Sequence, residues 1–590
     1  MKSIIKSLDY RIMITINKLS FFFFLFLGML SSPTSSLAQL TAPQQQAIDA
    51  LFDQWKENSN QPGLVAGLVK DGEILYLKGY GSADISNQKP ITPQSTFNIS
   101  NLSKQFTAFA LLQLEENGQL SMSDDIRKYV PEVPDFGTRI TLKHLISQSS
   151  GLHDFWVAKE LAGWSAQDVF TQEDALTLVN RQQELDYLPG TEFSRTTVGL
   201  ILLVEVVEKV TGMSFAEYTK QHIFDPLGMK NTQFSDDPNA IIPHEAIPYQ
   251  TVEDEVEVNR SNLGILGAAG LYSSAEDLCK WYLNFHTPKV GSPALIKKME
   301  SPVTLDNGRP YVPGSGKLLY GQLFEHGERG IPKQWSYGFA GGHSVNIFRF
   351  HHQGITGFVL GNGGTYNGYY AMQMIFQVID AVFPEPEQVD FGKISIKKLS
   401  SQQLAAFEGY YWNEKGAYAR RVYVENDTLH YARIGQNRVS KFVPLGADKF
   451  QMLVNSDDYI YVEFDRKDGK NRMAFYPKDG DKAISYRYQP KDYAISELVD
   501  FTGTYYAPSL DVTYTLSVEE GQLVARNLRK GTIPFISIKE DVFVSSSWFF
   551  NSLQFSRNAR GKVTGFKVVG DGLATLKFKK VAEAQKALIK

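Results

Sequence analysis

The sequence predicts an α+β chain: a block of helices and antiparallel strands, followed by two similar antiparallel β-barrels. Three observations carry this. From about Thr41 to Phe383, amphipathic helical stretches alternate with short β runs. At Pro384–Lys393 the segment PEPEQVDFGK is proline-rich, acidic and without periodicity, which reads as a linker. Beyond it the texture turns to alternating, aromatic-rich strands that repeat. At 590 residues the chain has room for several domains of roughly 150 residues each.

Taken in order, Met1–Ala38 reads as a signal peptide. Lys2, Lys6, Arg11 and Lys18 give a positive start, and Leu19–Leu30 (LSFFFFLFLGML) an apolar centre. That centre is shorter than the ~20 residues a bilayer span takes, and Ser36-Leu37-Ala38 supplies a small-x-small cleavage site. Cleavage near Ala38 and export to the periplasm or medium follow; an uncleaved N-terminal anchor is the alternative. No second apolar span is expected in the mature chain. Removing four cations and one acid takes the formal charge from −4 to −7, which argues against a nucleic-acid partner. Cys279 is the only cysteine, so neither an intramolecular disulfide nor a cysteine metal cluster can form.

The first domain is expected over 39–383. QQQAIDALFDQW predicts a helix and VAGLVKDGEILYLKGYG a hairpin around Asp71-Gly72. After the linker (384–393) two repeats are expected, 394–492 and 493–590. LAAFEGYYW (Leu404–Trp412) returns as LVDFTGTYY (Leu498–Tyr506), 94 positions on. The same offset relates Phe407 to Phe501, Gly409 to Gly503, Val424 to Val518 and Leu429 to Leu523; a small shift then matches Phe450 to Phe543. Units of about 90 residues suit a small closed barrel. The aromatic runs Tyr410-Tyr411-Trp412, Tyr505-Tyr506 and Trp548-Phe549-Phe550 read as barrel core and rim.

Five stretches carry a resemblance: TFNISNLSKQFTAFALLQLEENGQLSMSDDIRKYVPE, ITLKHLISQSSGLHDF, LPGTEFSRTTVGLILLVEVVEKVTGMSFAEYTKQHIFDPLGMKNTQF, GLYSSAEDLCKW and FRFHHQGITGFVLGNG. Over about Gln44 to Gly364 the chain resembles the serine β-lactamase and penicillin-binding-protein family, in its class C, D-aminopeptidase and esterase-like branch. That resemblance implies a β-lactamase/transpeptidase-like domain, an antiparallel sheet flanked by helices. Members of the D-aminopeptidase branch also carry two C-terminal, lipocalin-like barrels.

The family's chemistry uses three stations. An S-x-x-K helix start puts a serine hydroxyl and a lysine ammonium on one face, because residues three apart are neighbours. The serine attacks a carbonyl and the lysine helps take its proton. A Y-x-N loop supplies a proton shuttle and a substrate-orienting amide, and a K-T-G or H-x-G strand a cation or imidazole beside an edge that binds substrate. Here I-G-S-x-[ST]-K aligns with Ile99-Ser100-Asn101-Leu102-Ser103-Lys104: the lysine is kept and the serine is Asn101. P-G-x-x-F-x-Y-S-N-x-G aligns with PGTEFSRTTVG, so tyrosine becomes Arg195 and asparagine Thr197. H-x-G aligns with Ser336-Tyr337-Gly338, and Gln148 replaces a histidine common in the family.

An asparagine amide is a poor nucleophile, and losing the key nucleophile costs on the order of a million-fold in rate. The expectation is therefore a pseudoenzyme that binds a peptide, carboxylate or cell-wall-like ligand through Lys104, Arg195 and Ser336, without cofactor or metal. Two alternatives stand beside it: an esterase, amidase or D-aminopeptidase working from Ser100 with Lys104, and an interaction module acting through the barrels. Ser100 otherwise reads as a helix N-cap. His343, His351 and His352 lie close in sequence, but His351 and His352 are expected to alternate across a strand, away from a common metal. Oligomeric state is not legible.

Overall fold

The computed structural model describes residues 40–56, 60–310, 316–328, 331–364, 396–435, 438–453, 460–476, 482–570 and 573–582. The signal peptide expected at 1–38 and the linker expected at 384–393 lie outside these residues. Helix α1 (Ala42–Leu51) starts where Thr41 and Gln44 form a capping box, and it buries Ile48. Strands β1 (Leu64–Lys70) and β2 (Glu73–Tyr80) form the expected hairpin. Its turn places Asp71 and Gly72 at φ 48° and 85°, the left-handed pair that matches strand twist.

The main sheet adds β3 (Lys317–Leu318), β4 (Phe324–Glu328), β5 (Ile331–Ala340), β6 (His343–Phe350) and β7 (Ile355–Gly361). Its order is β3-β4-β5-β6-β7-β1-β2, every pair antiparallel. Being central, β1 is covered on both faces, which is why LVAGLVK reads as an almost unbroken apolar run. On one face Leu64, Ala66, Leu68, Phe348 and Phe350 pack against α1. The other face, with Val65, Val345, Ile347 and Phe358, meets α2 (Lys104–Glu116) and α4 (Val198–Thr211) in one continuous core. Between those two helices in sequence lies the short α3 (Phe155–Leu161). Helix α4 enters that core closely enough that a Cβ on Gly199 would stand 2.6 Å from the Leu145 carbonyl oxygen.

Two closed eight-stranded antiparallel barrels follow, from Gly409–Asn413 to Ala483–Tyr488 and from Gly503–Ala507 to Lys577–Lys580. Their first three strands keep the 94-residue offset: Gly409–Asn413 matches Gly503–Ala507, Tyr418–Glu425 matches Val512–Glu519, and Thr428–Arg433 matches Gln522–Asn527. Even an internal hydrogen bond is repeated. Tyr411 donates to the Phe407 carbonyl at 2.8 Å, and Tyr505 to that of Phe501 at 2.7 Å. Both lumens are packed, by Tyr411, Phe442, Phe450 and Phe464 in one barrel and Tyr505, Phe543, Phe555 and Phe566 in the other. Trp412 instead sits between the barrels with Ile538, Val542 and Val544, and Trp548 is exposed.

The second barrel's core also takes in α3. Val157, Ala158 and Leu161 join its apolar cluster, and Tyr514 donates to the Leu161 carbonyl at 3.2 Å. Around that plug, Asp186 accepts from the backbone N–H groups of Ala574 (2.6 Å) and Thr575 (2.9 Å), and its other oxygen meets His153 Nδ1 at 2.8 Å. Lys530 donates to Glu160 and to the Trp164 carbonyl. In the first barrel Arg420 stands where the second has Tyr514, with its guanidinium 3.9 Å from the centre of the Tyr418 ring.

Candidate functional site

After the short strand Thr96–Asn98 the chain makes a 3-10 turn, Ser100–Ser103, and only then enters α2 at Lys104. The turn corrects the reading of Ser100 as an N-cap. Ser100 is buried at φ 45°, and its hydroxyl donates to the Phe339 carbonyl of β5 at 2.8 Å instead of capping a helical N–H. A non-glycine residue in this region costs about 1–2 kcal/mol. The aligned family motif has glycine at that position, so the serine occupies a backbone bend made for no side chain. Asn98 steadies the bend, its side-chain oxygen accepting from Ser100 N at 2.9 Å. Ser103 turns its hydroxyl onto the Ser100 carbonyl.

Asn101 and β5 meet at this turn. The Asn101 side-chain amide donates to the Tyr337 carbonyl at 3.2 Å. Gly338 is packed so closely that a Cβ there would lie 2.8 Å from both Asn101 N and Ser100 Cβ. Ser336, two residues back on β5, shares the face that Gly338 presents to the turn and is buried. Tyr337 and Phe339 alternate to the other side and are partly exposed, with Tyr337 stacked on Trp335 at 5.6 Å.

Lys104 is half-buried on the first turn of α2 and makes no hydrogen bond or ion pair among the described residues. Burial pulls its ammonium down to about pH 8; Asp154 opposes that fall and Arg195 adds to it. The two cations of the altered motifs therefore act on one another. Asp154 reaches the site as the N-cap of α3, accepting from Val157 N at 3.0 Å, so the helix that plugs the second barrel begins at the cleft. Arg195 is exposed, its guanidinium 4.7 Å from the centre of the Phe324 ring on β4. Its loop is pinned by Ser194 N donating to the Gln148 carbonyl (3.1 Å) and Thr196 to the His153 carbonyl (3.2 Å). Gln148 takes a structural place, donating to Gln322 at 2.9 Å. Thr197 is buried at the start of α4, and its hydroxyl has no hydrogen-bond partner.

Of the positions taken from the motifs, Asn101, Ser100 and Gly338 touch, Ser336 shares their strand face, and Lys104 and Arg195 are electrostatically coupled. Sequence reasoning passed over Asp154 and Asn98; the only local signal was an acidic residue before a helix in GLHDFWVAKE. The histidine reading also changes. His351 and His352 occupy a 3-10 turn that closes at Gly354 (φ 66°), not a strand, and their rings lie 3.9 Å apart. His343 stands at the opposite end of β6, where Nδ1 accepts from Asn98 N (3.2 Å) and Nε2 meets the Ala246 carbonyl (2.6 Å). Burial holds its pKa down near 4. A cavity of about 710 Å3 lined by Asp84, Lys89, His244, Glu245 and Arg260 includes none of the altered motif positions.

Residues 48–375 match the family model described as Beta-lactamase. A D-aminopeptidase of Gluconobacter oxydans (strain 621H) is 29% identical over 257 residues, 43% of this chain and 48% of that protein. The chain thus spans about half the length of that relative. A penicillin-binding protein of Bacillus subtilis (strain 168) is 26% identical over 464 residues, 75% of this chain and 99% of its own length. Among solved structures, the octameric penicillin-binding protein homologue from Pyrococcus abyssi aligns with a TM-score of 0.50 at 25% identity, covering 75% of this chain and 99% of that one. No helix among the described residues is long and apolar enough to cross a membrane.

Proposed function

The chain belongs to the beta-lactamase family, and from that premise we propose that it is an exported, catalytically silent member whose cleft binds a peptide or other carboxylate-bearing, cell-wall-like ligand. One observation carries this reading. Where the S-x-x-K serine belongs stands Asn101, with its amide engaged by Tyr337 of β5. Neither neighbouring hydroxyl is placed to take over, because Ser100 donates to the Phe339 carbonyl and Ser103 to the Ser100 carbonyl. A serine hydroxyl already donating to a backbone carbonyl is not free to hand its proton to a base, as nucleophilic catalysis requires. Arg195 and Ser336 remove the proton shuttle and the imidazole in the same cleft.

The binding half rests on the charge of the cleft. Lys104 and Arg195 place two cations together, and the Thr197 hydroxyl is unpartnered. Such a site favours an anionic group. Relatives named D-aminopeptidase and penicillin-binding protein support a peptide as its carrier. The test is intact-mass spectrometry after incubation with a fluorophosphonate and with a penicillin. The expected outcome is no adduct with either reagent; a stoichiometric mass increase on any serine of the cleft would overturn the reading.

A further inference from the structure

We propose that one mouth of the first barrel binds a phosphate dianion, free or as a terminal monoester, through Arg420, Arg433 and Arg438. Three neighbouring strands bring these residues together: Tyr418–Glu425, Thr428–Arg433 and Arg438–Pro444. Val422, Tyr431 and Phe442 mark the lumen side of those strands. The alternation of a strand then puts Arg420, Arg433 and Arg438 on that same side, at the end of the barrel. The ladder sets Arg420 directly opposite Arg433, and Arg433 directly opposite Arg438. Like charges facing one another weaken a sheet, and here they do so twice in succession. Nearby carboxylates are spent on other cations: Glu192 on Lys415 at 2.6 Å and Glu414 on Lys539 at 3.2 Å. Among the described residues no carboxylate pairs with any of the three arginines.

The second barrel limits the size of the occupant. Its matching mouth is closed by α3, which packs with Val512, Tyr514 and Ala525. Ninety-four positions earlier stand Tyr418, Arg420 and Tyr431, so two tyrosine rings take up the room that the helix has there. What remains is a shallow cationic rim, suited to a compact anion and not to a helix. Arg420 is held in place within it. Its guanidinium lies 3.9 Å from the centre of the Tyr418 ring, Nε donates to the Tyr431 hydroxyl at 2.7 Å, and one Nη donates to the Ala419 carbonyl at 2.9 Å. Three of its five N–H donors are left for a ligand. The buried Tyr431 hydroxyl accepts from Arg420 and keeps its own hydrogen for a further acceptor. Arg433 is half-buried and Arg438 exposed, so the rim opens to solvent. A phosphate monoester brings three acceptor oxygens and up to two charges to these forks, more than a lone carboxylate can.

The test is isothermal titration of the full chain at low ionic strength with phenyl phosphate, inorganic phosphate and acetate. One saturable site is expected for phosphate, with acetate on the order of tenfold weaker or more. Affinity for phenyl phosphate should rise with pH through about 6, where the monoester takes its second charge while the arginines stay protonated. Arg433→Gln and Arg438→Gln should each weaken binding on the order of tenfold, as loss of a charge-assisted contact does. Arg438 is exposed, so its variant should keep the thermal midpoint of the parent. Arg421→Gln removes a cation from the outer side of the same barrel, where it lies over Tyr423, and should leave binding unchanged. Tight binding of phenyl phosphate marks an ester as the ligand, and binding of inorganic phosphate alone marks the free ion. Absence of a saturable site, acetate bound as tightly as phosphate, or equal weakening by Arg421→Gln and Arg438→Gln would overturn the proposal. The rim shares no residue with the cleft, so no outcome bears on the serine adduct.

Discussion

At the scale of single residues, the cleft is built on the turn at Ser100–Ser103 and its contact with β5. Lys104 sits one turn after Asn101, and Gly338 still admits the 3-10 turn against β5. Restoring one atom therefore has a defined consequence. Asn101→Ser should acquire a stoichiometric fluorophosphonate adduct at residue 101, read by intact mass and peptide mapping, where the parent chain acquires none. Ester turnover in that variant should stay roughly 10²–10⁴-fold below that of an enzyme with the full proton relay, because Arg195 and Ser336 provide no shuttle. That Asn101 and Gly338 belong to one site was legible in the sequence, since both fall inside motif-like flanks and they meet at the turn. The conformation of Ser100 was not: a positive φ is set by the contact with Phe339, more than two hundred positions away.

At the scale of elements, the site is a junction between a turn and a strand edge. The 3-10 turn and β5 approach too closely for any side chain at Gly338, and the atoms it would meet are backbone N and a Cβ that cannot swing away. Gly338→Ala should cost about 1–3 kcal/mol, as overpacking of a tight contact does, seen as a lower denaturant midpoint with an unchanged slope. Periodicity located α1, the β1–β2 hairpin and the barrel repeat, because each is written in neighbouring residues. It misplaced His351 and His352 because the strand signal of FRFHHQ runs on past Phe350, while the chain has already turned toward Gly354. Pattern cannot register a turn whose residues look like the strand before them.

At the scale of the whole molecule, α3 joins the cleft to the second barrel. Its N-cap Asp154 bears on Lys104, and its far end fills the barrel's apolar cluster. Asp186, buried with His153, holds the same wall by accepting two backbone N–H bonds from the loop at Ala574–Thr575. Asp186→Ala strands those donors in a dry contact and should cost about 3 kcal/mol or more, measured as a lower thermal midpoint. Tyr514→Phe, which removes one hydrogen bond and keeps the ring, should cost about 1 kcal/mol. No sequence pattern announces these contacts, because their partners are separated by most of the chain. They also impose an order in time. The apolar side of α3 is synthesised 353 positions before Tyr514. At about 5–20 residues per second it waits roughly 20–70 s for the barrel that covers it. Until then the newborn chain carries a greasy helix beside its cleft, a handle for chaperones and a point where truncated chains would stick to one another.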